Sequence, residues 1–266
     1  SSPKNRSQWY QPSRDDGRVW RVAPAETKPI PSGSFDLKSK SNAELVELLS
    51  HSNDWYARQA RRIFYERRDN SIVPELTRLL NSKDQRLALQ GLWAIHASAG
   101  FDRELAIECL GSPHEYVRAW AVRLAGDDPK DSLGLGEELV QLAGRERSVV
   151  VRSQLACSAK RLRAEDGLAI VKALLRYPLD ATDVHLPLLL WWAIEDKAIS
   201  DSRRTLELFD LPATGPRPLL QGYLVKRLAR RFIAEGTEAS FTACAQLLNK
   251  AKTEKNLAPM LAGMLE

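Results

Sequence analysis

Tyr116-Val117-Arg118-Ala119-Trp120-Ala121-Val122-Arg123-Leu124 decides the fold of this chain. Its apolar residues Val117, Trp120, Ala121 and Leu124 fall at i, i+3, i+4 and i+7. That spacing lines one face of an α-helix, whereas a strand would alternate every second residue. The stretch is not unique. Tyr56-Ala57-Arg58-Gln59-Ala60, Leu87-Ala88-Leu89-Gln90 and Val150-Val151-Arg152-Ser153-Gln154 align with it, and their central positions 58, 88, 118 and 152 are 30, 30 and 34 residues apart. Position 88 carries Ala where the others carry Arg, and Leu89, Leu92, Trp93 and His96 repeat the apolar stripe. Both stripes are expected to face the interior.

Working outward, the chain beyond residue 41 reads as helical segments separated by short breaks of Asn, Asp, Ser, Gly or Pro, with no strand. The segments fall into pairs. One pair cannot hide its apolar face alone, and stacking on like neighbours makes a continuous core. A period in the low thirties with Val-Arg near the start of each second helix resembles the HEAT family in its short bacterial form. The resemblance implies an all-α, HEAT/armadillo-like α-α superhelix, a right-handed solenoid, over residues 41–266.

Ser41-Asn42-Ala43-Glu44 is a capping box at the first helix start, and Ser112-Pro113-His114-Glu115 suggests the same device with Pro at the first helical position. Later units are expected at 165–176 with 186–196, 202–210 with 218–235, and 237–252 with a last segment from 256; their breaks carry Pro178, Pro212, Pro216 and Pro218, so the regular period lapses after about Tyr177. Residues 1–40 differ in kind. They are rich in Pro, Ser, Arg and Asp, with one strand-like run, Arg18-Val19-Trp20-Arg21-Val22, after Asp15-Asp16-Gly17, and are expected to be an extended tail left from a preceding β domain. The chain opens without Met or an apolar leader and is expected to be a fragment of a longer protein.

Of the 266 residues, 44% are hydrophobic and 27% charged, and 39 basic against 34 acidic groups leave a net charge of +5 spread along the chain. That balance permits a polyanionic partner without demanding one. The most apolar run, 186–194, is half the length needed to span a bilayer. Cys109, Cys157 and Cys244 sit singly in expected helices, which fits small core residues better than a disulfide framework or a metal pair. His51, His96, His114 and His185 lie in different repeats with no second ligand at i+3 or i+4. Gly134-Leu135-Gly136 follows no strand and reads as a helix-start loop. Neither a catalytic set, a metal site nor a cofactor is expected.

The candidate interaction surface is basic and aromatic. Arg58, Arg61 and Arg62 share a face with Tyr65; Arg118 and Arg152 are the repeat arginines; Arg227, Arg230 and Arg231 make a second patch beside Lys226. Trp191 and Trp192 end the run Leu186-Pro187-Leu188-Leu189-Leu190, in a helix so apolar all round that neighbours or a partner must cover it.

The tail 16–22, the start Asn42-Ala43-Glu44-Leu45-Val46-Glu47-Leu48-Leu49-Ser50 with Trp55, the stretch 116–124 and the run 186–195 together resemble the middle region of large secreted bacterial membrane-bound dehydrogenases. In that family a sugar-dehydrogenase-like β-propeller precedes a HEAT-like region, and a c-type haem domain with CxxCH follows. The resemblance implies a periplasmic or extracellular setting and a non-catalytic scaffold that spaces the flanking domains or docks another protein; none of the family's catalytic or haem-binding residues has a counterpart here. A general peptide-binding solenoid outside any haem-protein context fits the residues equally. The alternative from another class is a HEAT-like DNA glycosylase, with Trp120, Trp191, Trp192 and Glu195 or Asp196 handling a flipped base and the arginines holding phosphates. It needs those tryptophans in the open beside the arginines, whereas Trp93 and Trp120 read as core, so nucleic acid is not the expected partner.

Overall fold

The computed structural model describes residues 24–26, 36–127, 133–210, 218–250 and 254–265. The strand-like run 18–22 lies outside them. The chain divides into two units, Ser1–Ser39 and Lys40–Glu266. In the described part of the first, Leu37–Ser39 form a 3-10 turn in which the Lys38 N–H and Ser39 hydroxyl both donate to Asp36.

The second unit is helical throughout its described residues, with no strand. Its helices are α1 Asn42–Leu48, α2 Asp54–Arg67, α3 Val73–Leu80, α4 Gln85–Ala97, α5 Arg103–Leu110, α6 Glu115–Asp127, α7 Gly136–Arg145, α8 Val149–Arg161, α9 Ala164–Leu174, α10 Leu186–Ala198, α11 Ser202–Glu207, α12 Val225–Glu235, α13 Glu238–Asn249 and α14 Glu254–Met264. Helix starts follow local chemistry. The Ser41 box forms as expected, and Asn53, Asp84 and Asp102 each accept a backbone N–H from the first turn of α2, α4 and α5. The second expected box does not form. Ser112 Oγ accepts only from His114 N, α6 begins at Glu115, and the Glu115 carboxylate instead accepts the Ser148 hydroxyl of the next unit, at a distance of 2.5 Å.

Packing follows chain order. α1 lies on α2, α3 on α4, α5 on α6 and α7 on α8, while the second helices touch in succession: α2 with α4, α4 with α6, α6 with α8, α8 with α10 and α10 with α12. Val117, Ala121, Leu92, Leu155, Ile194 and Phe232 are sealed between them. Gly91 permits a close crossing of α3 and α4, since a Cβ there would stand 2.5 Å from the backbone nitrogen of Leu80. After α9 the 3-10 turn Pro178–Thr182 intervenes before α10, and Leu219–Leu224 is wound as π-helix before α12. These irregular turns stand at Pro178 and just after Pro218, as expected; Pro212 and Pro216 lie outside the described residues.

Two of the repeat arginines join successive units in the same way. Arg118 donates from Nε and Nη2 to the Glu146 carboxylate, both at 2.8 Å, and Arg152 does the same to Asp180 at 2.7 and 2.6 Å. Each carboxylate comes 28 residues after its arginine. The third nitrogen of each guanidinium caps carbonyls just ahead of its own helix: Ser112 O at 2.9 Å for Arg118 and Arg147 O at 2.7 Å for Arg152. The Arg152 guanidinium also lies over Tyr177, 4.4 Å from the ring centre. A fork that satisfies a carboxylate and a helix entry at once is what a planar guanidinium offers and an ammonium does not.

A candidate interaction surface

The helix-joining role takes Arg118 and Arg152 out of the expected surface. Their side chains are 17% and 10% exposed and those of the paired carboxylates 3% and 4%, so these arginines are internal joints. Burial pushes the Glu146 carboxyl up, yet the Arg118 hydrogen bond and the Ser148 backbone N–H hold it below its ordinary value. The other expected residues divide. Arg58 and Arg62 are exposed on α2 and pair within it, with Asp54 at 3.6 Å and Glu66 at 3.0 Å. Arg227 lies over Tyr223, Arg231 pairs with Glu235 at 2.7 Å, and Arg230 is exposed beside them on α12. Trp191 is buried, whereas Trp192 is 42% exposed, and Leu188 one turn before it is exposed too. Neighbouring helices therefore cover α10 only in part, and its Leu188–Trp192 edge is the part that the expectation leaves to a partner.

Arg61 leads to a different set. Its guanidinium donates to the Gln90 side-chain oxygen and sits 5.0 Å from the centre of the Trp93 ring. Trp93 meets Trp120 edge to face at 5.2 Å, and Arg123 covers Trp120 at 4.9 Å. Arg123 pairs with Asp127 at 3.5 Å, and Asp127 takes Arg161 of α8 at 2.8 Å. At the end of α2, Arg68 adopts a left-handed backbone, φ 53°, and stacks over Tyr65. A row with two adjacent indoles flanked by guanidinium groups therefore crosses α2, α4, α6 and α8.

Burial grades this row from wall to rim. Trp93 and Trp120 are half-buried, while Tyr65, Arg68, His96 and Arg123 are exposed. Neither tryptophan is core in the sense expected, and His96 stands outside the stripe, because one turn beyond Leu92 the helix face has rotated to its rim. His96 is held below its ordinary value by partial burial and by Arg68, against the pull of Asp127. Arg61 has its charge opposed by burial, with Asp54 as the nearest countervailing influence.

The repeat alignment carries only part of this row: Trp93 and Arg123 each follow their central position, 88 and 118, by five residues, whereas the same place after 58 is Ile63, and Arg61 and Trp120 fall three and two residues after theirs.

The chemistry elsewhere is quiet. A cleft of about 290 Å³ lies where α3 ends against α5 and α6, lined in part by Ser82, Cys109, Pro113 and His114. His114 Nε2 is tied to Ser82 O at 2.9 Å, and burial pushes the Cys109 thiol up to about 12, which leaves it protonated and a poor nucleophile at neutral pH. Among the described residues no cluster of His, Cys, Asp and Glu is placed to hold a metal ion, and no helix is long and apolar enough to cross a membrane. Comparison with protein-family models, with curated proteins and with solved structures found no match to the chain.

Proposed function

We propose that the chain is a non-catalytic docking module, a HEAT-like superhelix that spaces domains of a larger secreted bacterial protein and takes a protein partner on the face carrying Arg61, Trp93, Trp120 and Arg123. The observation that carries this reading is how the ionisable groups are used. The buried ones serve as joints: Arg118 pairs with Glu146, Arg152 with Asp180, and Lys197 of α10 donates to the Lys160 carbonyl of α8. Half-buried Arg61 and exposed Arg123 instead lie over the half-buried indoles of Trp93 and Trp120, the mixture that protein interfaces favour at their anchors. Base excision is less well supplied: Trp191 is buried, Trp120 is covered by Arg123 and Trp93, and Asp196 is engaged by Lys197.

Affinity capture with the whole chain tests the proposal. Proteins retained by the native chain should be lost from the Arg68→Glu/Arg123→Glu variant at unchanged thermal stability, and alkylated duplex DNA incubated with the chain should release no free base. Identical retention by both forms, or release of the alkylated base, would contradict it.

A further inference from the structure

We infer that the α2–α8 face recognises an extended acidic peptide segment carrying two carboxylates that flank an apolar side chain; the inference rests on the docking reading and names the chemistry of the partner.

The two guanidinium groups at the ends of the indole pair limit the spacing. Arg61 stands 5.0 Å from the Trp93 ring centre, the two rings are 5.2 Å apart, and Arg123 stands 4.9 Å from the Trp120 ring centre. The guanidinium carbons are thus no more than about 15 Å apart. An extended chain advances roughly 3.3 Å per residue, so side chains four positions apart are separated by roughly 13 Å. Period-two alternation puts residues i, i+2 and i+4 on one side of such a chain. Carboxylates at i and i+4 fall within that limit, so such a segment would set them on Arg61 and Arg123 with an apolar residue at i+2 against the half-buried indoles between them.

Charge favours an anion here. Arg61 has no carboxylate within ion-pair distance among the described residues, and Arg123 shares the single carboxylate of Asp127 with Arg161. Stacking on an indole also fixes each guanidinium before a ligand arrives, which lowers the ordering cost of a two-point carboxylate contact. The same geometry argues against a single-stranded nucleic acid. Base stacking needs a free aromatic face, and Arg61 over Trp93 and Arg123 over Trp120 each occupy one. Asp127, in the same row, opposes a continuous run of phosphates.

Fluorescence anisotropy with the whole chain at low ionic strength decides it. The probes are a labelled peptide Glu-Ser-Leu-Ser-Glu, its Lys-Ser-Leu-Ser-Lys counterpart and a labelled oligothymidylate. The acidic peptide should bind, the lysine peptide should not, and Arg123→Gln should weaken the acidic peptide at least tenfold, as should Arg61→Gln. Arg203→Gln, in an exposed pair on α11, should leave affinity unchanged. Should Arg61→Gln fold poorly, the exposed Arg123 substitution carries the test alone, with its circular dichroism and melting temperature matched to the native chain. Oligothymidylate binding that Arg123→Gln weakens, without acidic-peptide binding, would overturn the peptide and leave the docking face standing. Affinity for either probe that is indifferent to Arg123→Gln, or no binding at all, would overturn both.

Discussion

Replacing Arg152 by Met separates a structural joint from a surface charge at the same repeat position. The guanidinium gives two hydrogen bonds to Asp180, at 2.7 and 2.6 Å, and further ones to Glu146 O and Arg147 O at 3.2 and 2.7 Å. With Asp180 only 4% exposed, its carboxylate in the variant keeps its burial and loses its counter-charge. Removing one partner of a buried pair costs about 3–5 kcal/mol. For a domain of this size, at about 2–4 °C per kcal/mol, the melting temperature should fall by about 6–20 °C. Arg58 occupies the aligned position, yet its pair with Asp54 is 3.6 Å long and both side chains are more than half exposed. Arg58→Met should cost no more than about 0.5 kcal/mol, the scale of an exposed i,i+4 pair. Replacing Asp180 by Leu in the Arg152→Met background should restore most of the loss, because an apolar pair of similar bulk needs no counter-charge. Calorimetric melting of the four proteins at neutral pH measures all of this. A drop below about 1 kcal/mol for Arg152→Met, or equal drops at the two positions, would refute the assignment of Arg152 as an internal joint.

Other outcomes follow from the same geometry. Glu146 titrates below its ordinary value in the folded chain, so its stabilising share is complete above the unfolded value of about 4.5 and is lost as pH falls through the folded one; Arg118→Met should remove that share of the acid sensitivity in a pH series of melts. Gly91→Ala drives a methyl against the backbone of α3 and should cost about 1–3 kcal/mol in urea unfolding. Ser41→Ala removes the cap of α1 and should cost about 1 kcal/mol. A thiol reagent at neutral pH should modify half-exposed Cys157 well before buried Cys109, whose reaction should wait for unfolding.

The helices were legible because their signals are local. The i, i+3, i+4 stripes, the Ser41 box and the prolines after Tyr177 act within a few residues, and the structure places helices and breaks there. The fate of the repeat arginines was not legible. A Val-Arg at a helix start reads alike whether its charge meets water or a carboxylate 28 residues later, and only the packing of α6 and α8 distinguishes Arg118 and Arg152 from Arg58. The second capping box failed for a similar reason, since Glu115 is drawn to Ser148 in the next unit. The indole pair was misjudged because Trp93 and Trp120 sit on the stripe's edge, where a helical wheel cannot separate core from rim.

Indole N–H resonances offer the most direct measurement. The chain has seven tryptophans, assignable one by one through Trp→Phe variants, and titration with the acidic pentapeptide reports which of them sense a ligand. Docking on the α2–α8 face predicts shifts confined to Trp93 and Trp120, saturating together, with Trp191 and Trp192 unmoved. Shifts at Trp192 with Trp93 and Trp120 silent, or none at all, would place the interaction elsewhere and contradict the account.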